Sequence, residues 1–252
     1  MRKRYRKPFL KTVIVRADFA SPIESLQKAL PPKVSRLLLK SFPISEPQRA
    51  IAREFMITPE ETKEHKSEEM NWFYYGTNRE KKACVSPRFF FVEHLEYGTF
   101  ENLKNDFLPV IAELFTSVED LQVKRFGLRY VDHIEISGGA MFDWKEYLDD
   151  SLLCCFSIPR VGKEIVRAFN TLALSDGQMI LQFRYGMHNA DFPAQIKTKL
   201  FILDFDAFTQ GLLELDEIRM HIDSFHDSID SLFEQVITDK LREAMGSINE
   251  TE

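Results

Sequence analysis

The last long segment of the chain constrains its fold more than any other. Leu215, Ile218, Ile222, Phe225, Ile229, Leu232, Phe233, Val236, Ile237 and Leu241 recur every three or four positions. At about 3.6 residues per turn this stripe continues for roughly seven turns. A helix that long, apolar along one side, needs an equally long apolar surface to lie on. The rest of the sequence supplies that surface as strands. In 10–19, Val13, Val15, Ala17 and Phe19 alternate with Thr12, Arg16 and Asp18, the period of a half-buried strand.

Further strands are expected at 49–58 and 70–76, flanking a charged, proline-bearing loop at 59–69. Others are expected at 83–97 (around Phe89-Phe90-Phe91-Val92), at 125–137, and at 197–205. Residues 163–174 and 178–187 read as two strands joined by the turn Ser175-Asp176-Gly177. A short helix is expected from Ser21 as N-cap, with Pro22 at N1 and Glu24 at N3, to about Ala29. Helical spacing recurs over 34–40, from Phe100 to Phe115, and over 142–153.

The order strand, helix, three strands, helix therefore occurs twice. Leu10-Lys11-Thr12-Val13 matches Leu128-Arg129-Tyr130-Val131, and Leu114-Phe115 matches Leu232-Phe233. The expected class is α+β: two related β-α-β-β-β-α halves forming one long antiparallel sheet, with the long helices packed on one face. The expected organisation is a basic tail at 1–8, a first half at 9–120 and a second at 121–252, in one continuous globular unit.

Composition removes several classes. With 44% hydrophobic and 29% charged residues the chain is neither disordered nor collagen-like, and 3 Cys do not make a disulfide scaffold. Cys84, Cys154 and Cys155 form no CxxC pair, which favours a reducing, cytoplasmic location. Cys154 and Cys155 lie in an apolar run and are expected to be buried and inert. No apolar run is long enough to span a membrane, and no secretory segment is expected. Five of the 33 basic residues stand in the first seven positions, so the remaining 28 face 39 acidic residues, a net charge of −11. That field disfavours nucleic acid. The tail reads as a solvated terminus.

No phosphate-binding glycine loop, nucleophile elbow, HExxH or paired CxxC is present. Three arrangements are left. Asp204 and Asp206, two apart on one strand, share a face and suit a cation. His133 and Glu135 share a face of another strand, next to Asp132, and suit base catalysis. If the chain is an enzyme, Asp204, Asp206 and His133 are its candidates, in a metal-dependent or nucleotide-directed reaction. The third arrangement is a binding stripe of Arg125, Arg129, Arg167 and Arg184, with Tyr130, Tyr185, Phe169 and Phe183 as stacking faces. The competing structural reading is that these arginines form cross-strand pairs with acids. On the last helix, Asp223, His226, Asp227 and Asp230 read as a solvated face opposite the stripe. No cofactor and no metal site is expected.

Pro8-Phe9-Leu10, Phe126-Gly127-Leu128-Arg129-Tyr130, Leu203-Asp204-Phe205-Asp206 and the end with Leu232-Phe233, Ile237-Thr238 and Leu241-Arg242 resemble a sporadically distributed bacterial family of uncharacterised proteins of about this length. The resemblance spans nearly the whole chain and rests on hydrophobic patterns. It carries over no catalytic residue. The family's patchy distribution implies mobile genes, compatible with a defence or toxin–antitoxin setting. The expected function is non-catalytic binding of a protein partner, or self-association, through an exposed sheet edge or a Phe-lined groove. The alternatives are the enzyme above and a nucleic-acid-sensing module.

Overall fold

The structure, a computed structural model, describes residues 4–57, 62–158 and 162–248. In chain order the elements are β1 (Arg4–Tyr5), β2 (Leu10–Phe19), α1 (Glu24–Lys28), α2 (Pro32–Ser41), β3 (Ile44–Ile57), β4 (Thr62–Tyr75), β5 (Lys81–Val85), β6 (Phe89–His94), α3 (Phe100–Ser117) and β7 (Val123–Glu135). Two 3₁₀ turns follow, Asp150–Leu152 and Cys154–Ser157, then β8 (Ala168–Ser175), β9 (Ile180–Met187), β10 (Leu200–Leu213), α4 (Leu215–Val236), α5 (Asp239–Met245) and β11 (Ser247–Ile248). The fold is α+β, built on a nine-stranded antiparallel sheet of order β3-β4-β5-β6-β2-β7-β10-β9-β8. Read outward from β2 the neighbours are β6, β5, β4 and β3; from β7 they are β10, β9 and β8. β1 and β11 form a separate two-stranded sheet.

The chain divides into two compact units. One comprises the described parts of Ile14–Gly127 and Gln210–His221; the other those of Met1–Val13, Leu128–Thr209 and Ile222–Glu252. In the first, α3 lies against β6, with Phe90 and Phe107 stacked at 4.9 Å and Phe126 5.8 Å beyond. Thr99 caps α3 by accepting from Asn102 N–H at 3.1 Å. In the second, Phe183 of β9 stacks on Phe205 of β10 at 4.6 Å, and Phe233 of α4 meets Phe205 edge-on. Alternation along β2 and β6 makes one face core and leaves the other face partly wet.

β2 matches its expected limits and alternation: Val13, Val15, Ala17 and Phe19 are buried and the residues between them are not. Other expectations need correction. Ser21 caps no helix. α1 starts at Glu24, and the N–H of Ile23 is taken by the carbonyl of Pro87. The single strand expected at 83–97 is a hairpin, broken where Ser86 Oγ accepts from the N–H groups of Arg88 and Phe89. Of the loop expected at 59–69, residues 62–69 belong to β4 and pair with β3, while 59–61 lie outside the described residues. Gln27 stands in for a peptide unit here, accepting from Met70 N–H and donating to the carbonyl of Glu68.

The helix expected over 142–153 is absent, and the last helix breaks at Ile237-Thr238. One cause serves both. Leu148 forms a bridge with Ile237, Asp149 N–H donates to Val236 C=O, and Thr238 N–H donates to Tyr147 C=O. Strand-like pairing takes the backbone groups that either helix would need. The buried Trp144, 5.4 Å from Phe201, anchors that segment. The basic tail is not wholly free: β1 pairs with β11, and the N–H groups of Arg6 and Lys7 bond the carbonyls of Gly246 and Met245. No helix is long and apolar enough to cross a membrane among the described residues.

Candidate functional site

The expected arginine stripe is only partly assembled, and its charges are answered. On β7, Arg129 alternates with the buried Leu128 and Tyr130, so its side chain leaves the core face. There it binds Asp204 of β10 in a fork, Nε to Oδ1 at 2.7 Å and Nη2 to Oδ2 at 2.8 Å. Arg184 stands opposite Asp204 in the β9–β10 register and brings Nε to 2.9 Å of Oδ2. One carboxylate thus carries two guanidiniums. Asp204 is the buried member of this group, and both arginines are partly exposed. In the other unit, Arg125 lies 3.8 Å from Asp18, which also accepts from Arg16. These are the cross-strand and same-strand pairs of the structural reading.

The remaining candidates are dispersed. Arg167 precedes β8 and sits over the Phe192 ring at 4.5 Å. Tyr130 belongs to the core, stacked on His226 of α4 with its hydroxyl 3.1 Å from Nδ1. His226 is therefore not part of a solvated helix face. Phe183 is buried and unavailable for stacking on a ligand. Tyr185 stacks on Phe183 at 4.8 Å; burial raises its pKa, and Cys154 and Cys155 add to the rise. Cys154 is exposed and Cys155 half-buried, contrary to expectation. Burial pushes the Cys84 thiol up to about 12, which makes it inert.

Asp206 lies on the same face of β10 as Asp204, mid-strand and not at a strand end, because β10 runs on to Leu213. The His133 pKa is lowered by burial and by the charge of Lys11, against the opposite pull of Glu135. No group of three or more His, Cys, Asp or Glu converges to hold a metal among the described residues. Asp132 faces the core between Tyr130 and Ile134, and burial alone pushes its carboxyl up to about 8.

Two polar clusters were not expected. Asp106 of α3 accepts from Lys81 Nζ at 2.7 Å, and its Oδ2 lies 3.0 Å from His94 Nε2. Burial would raise its pKa, but hydrogen bonds from His94, Lys81 and Ser41 outweigh that and hold it below the ordinary range. The sequence signal was an aspartate beside Phe107 on the buried side of a helix. Tyr5 bonds Glu234, which pairs with Arg242 at 2.9 Å and ties the N-terminal strand to α4 and α5. Both clusters fasten elements together.

Phe73, Tyr75, Phe89 and Phe91 line the face of β4–β6 turned away from α3, as an expected Phe-lined surface would. Arg16, Arg79 and Lys82 lie over these rings, paired in turn with Asp18, Glu46 and Glu93. Phe89, Tyr75 and Phe91 are thus covered by the protein's own neutralised cations.

The sheet's two edges differ in kind. Among the described residues β3 pairs with β4 alone, and its sequence ISEPQRAIAREFMI carries one proline, two arginines and two glutamates, the residues that discourage strand addition. Among the described residues β8 pairs with β9 alone, and its sequence AFNTLALS carries no charge and no proline. Leu172 and Leu174 oppose the buried Phe183 and Leu181, so they prolong the core face, yet they are 45% and 42% exposed. Phe169, on the other face, is 39% exposed. Gly186 lets β8 approach: at φ 135° a Cβ there would lie 2.1 Å from the carbonyl oxygen of Ala168. A search of protein-family models and of curated proteins found no match to this chain.

Proposed function

We propose that this chain is a binding protein that docks an extended protein segment on the β8 edge of its sheet. The observation that carries the reading is an eight-residue edge strand with no charge and no proline, its leucines nearly half exposed, in a sheet whose other edge is guarded. An added strand would satisfy the outward amides and carbonyls of β8 and cover Leu172 and Leu174. Covering each leucine contributes on the order of 1 kcal/mol. Each new main-chain hydrogen bond adds about 1 kcal/mol net. Association costs at least about 4 kcal/mol, so the contact is reversible and its specificity comes from register.

The two wings read as related. In both wings the sequential strands close back onto the central strand, β2 or β7, and a long helix follows, which supports a duplicated β-α-β-β-β-α unit whose second half lacks the helix after β7 and whose first half carries a fourth outer strand. The resemblance to the sporadic bacterial family supports a cytoplasmic, defence- or toxin–antitoxin-associated setting. Asp204 is paired with two arginines, which supports a structural role for it over the enzyme alternative. Asp206→Asn and His133→Ala are the cleaner probes of catalysis. The test of the docking reading is affinity capture by the whole chain against Leu172→Lys/Leu174→Lys. The expected result is one stoichiometric protein held by the native chain and lost by the variant. Equal capture by both chains, or a biological activity abolished by Asp206→Asn with the fold intact, would overturn the reading.

A further inference from the structure

We propose that the segment docked on β8 is the β8 strand of a second copy of this chain, paired antiparallel about a two-fold axis normal to the sheet. This rests on the docking reading and commits it to one occupant. Charge complementarity argues for it. Arg167 stands immediately before β8 and Asp176 immediately after it. With the axis at Leu172, Arg167 of each copy stands opposite Gly177 of the other, one residue from Asp176, twice, whereas parallel copies would set like beside like. Within the strand no charge opposes its own image, since Ala168–Ser175 has none.

Side-chain parity argues for it as well. A two-fold axis normal to the sheet opposes residues of the same face. With the axis at Leu172, Leu172 meets itself, Leu174 meets Asn170, Thr171 meets Ala173 and Phe169 meets Ser175. With the axis at Ala173, Leu172 meets Leu174. Either register places leucine on or beside leucine on the face where Leu172 and Leu174 are exposed, whereas an axis at Phe169 would set Phe169 on itself and leave Leu172 and Leu174 without a partner in the added strand. The interface is isologous and closes at two copies, so it uses up the edge and does not propagate.

The test is sedimentation of the purified full chain over a wide concentration range. The native chain is expected to shift from monomer to dimer with rising concentration. Leu172→Lys, which sets two ammonium groups against each other at the axis, is expected to stay monomeric while its circular dichroism and melting temperature hold. Arg167→Glu is expected to weaken the dimer severalfold, and less so at high salt. In a Cys154→Ser/Cys155→Ser background, Leu172→Cys or Ala173→Cys is expected to form an oxidised dimer, because one of them marks the axis. A native chain that is monomeric at every soluble concentration, or a dimer untouched by Leu172→Lys, overturns self-pairing. The docking reading then stands or falls separately, on whether Leu172→Lys/Leu174→Lys loses a captured protein of another kind.

Discussion

Two buried aspartates of this protein respond to pH in opposite senses. Unfolded, Asp132 releases its proton near about 3.9; folded, it holds the proton to about 8. Between those values the folded chain binds more protons than the unfolded one, so this residue's contribution to stability falls as pH rises through the window. Asp132→Asn keeps the neutral shape and removes the titration. Its melting temperature is expected to exceed the native value at pH 8, at about 2–4 °C per kcal/mol, and to match it near pH 4. Asp106 is the converse. Its pKa lies below the ordinary value, so its contribution is full above about 3.9 and is lost as pH falls through the lowered value. Asp106→Asn strips Lys81 and His94 of their carboxylate and should cost about 2–3 kcal/mol at neutral pH. The deficit should shrink in acid, as denaturant titrations at several pH values would show. Asp204 is placed among structural residues by geometry: two arginines converge on its buried carboxylate. A variant at Asp204 therefore reports on folding before it reports on chemistry.

Among elements, the strands and long helices were legible because their side-chain period is local. The alternation of β2 and the stripes of α3 and α4 follow from which face each residue must bury. What was not legible depends on distant backbone partners. Nothing near Tyr147 announces that its carbonyl will accept from Thr238, yet that pairing removes one helix and divides another. The arginine candidates show the same limit. Their strand positions were readable, but Asp204 and Asp18 answer them across registers that the sequence leaves open. The edge status of β8 likewise depends on strand order; its lack of charge was in plain view, but its position was not. Gly186 tests the placement of that strand. An alanine there drives a Cβ into the Ala168 carbonyl, and neither backbone can yield without parting β8 from β9. Gly186→Ala is expected to cost about 2–3 kcal/mol in denaturant unfolding and to abolish docking, while a substitution at the exposed Thr171 costs little.

At the scale of the whole molecule, the net charge is −6 and Arg125 and Arg129 are paired with acids, so the proposed docking rests on the edges of the sheet. One edge is defended by its sequence and the other invites a strand. Docking through main-chain bonds and leucines is expected to change little with added salt, apart from the contribution of the Arg167 and Asp176 flanks. Nucleic-acid binding would instead weaken steeply as counterions compete, so a salt titration of the complex separates the two. The most direct test is hydrogen exchange along Ala168–Ser175, followed from dilute to concentrated chain and then in Leu172→Lys/Leu174→Lys. In a strand bonded on one side only, alternate amides point outward. Those amides are predicted to exchange fast in the dilute native chain, to become protected as the partner strand docks, and to stay fast in the variant at every concentration. Outward amides of β8 that remain fast in the native chain under conditions where it holds its partner would contradict the account.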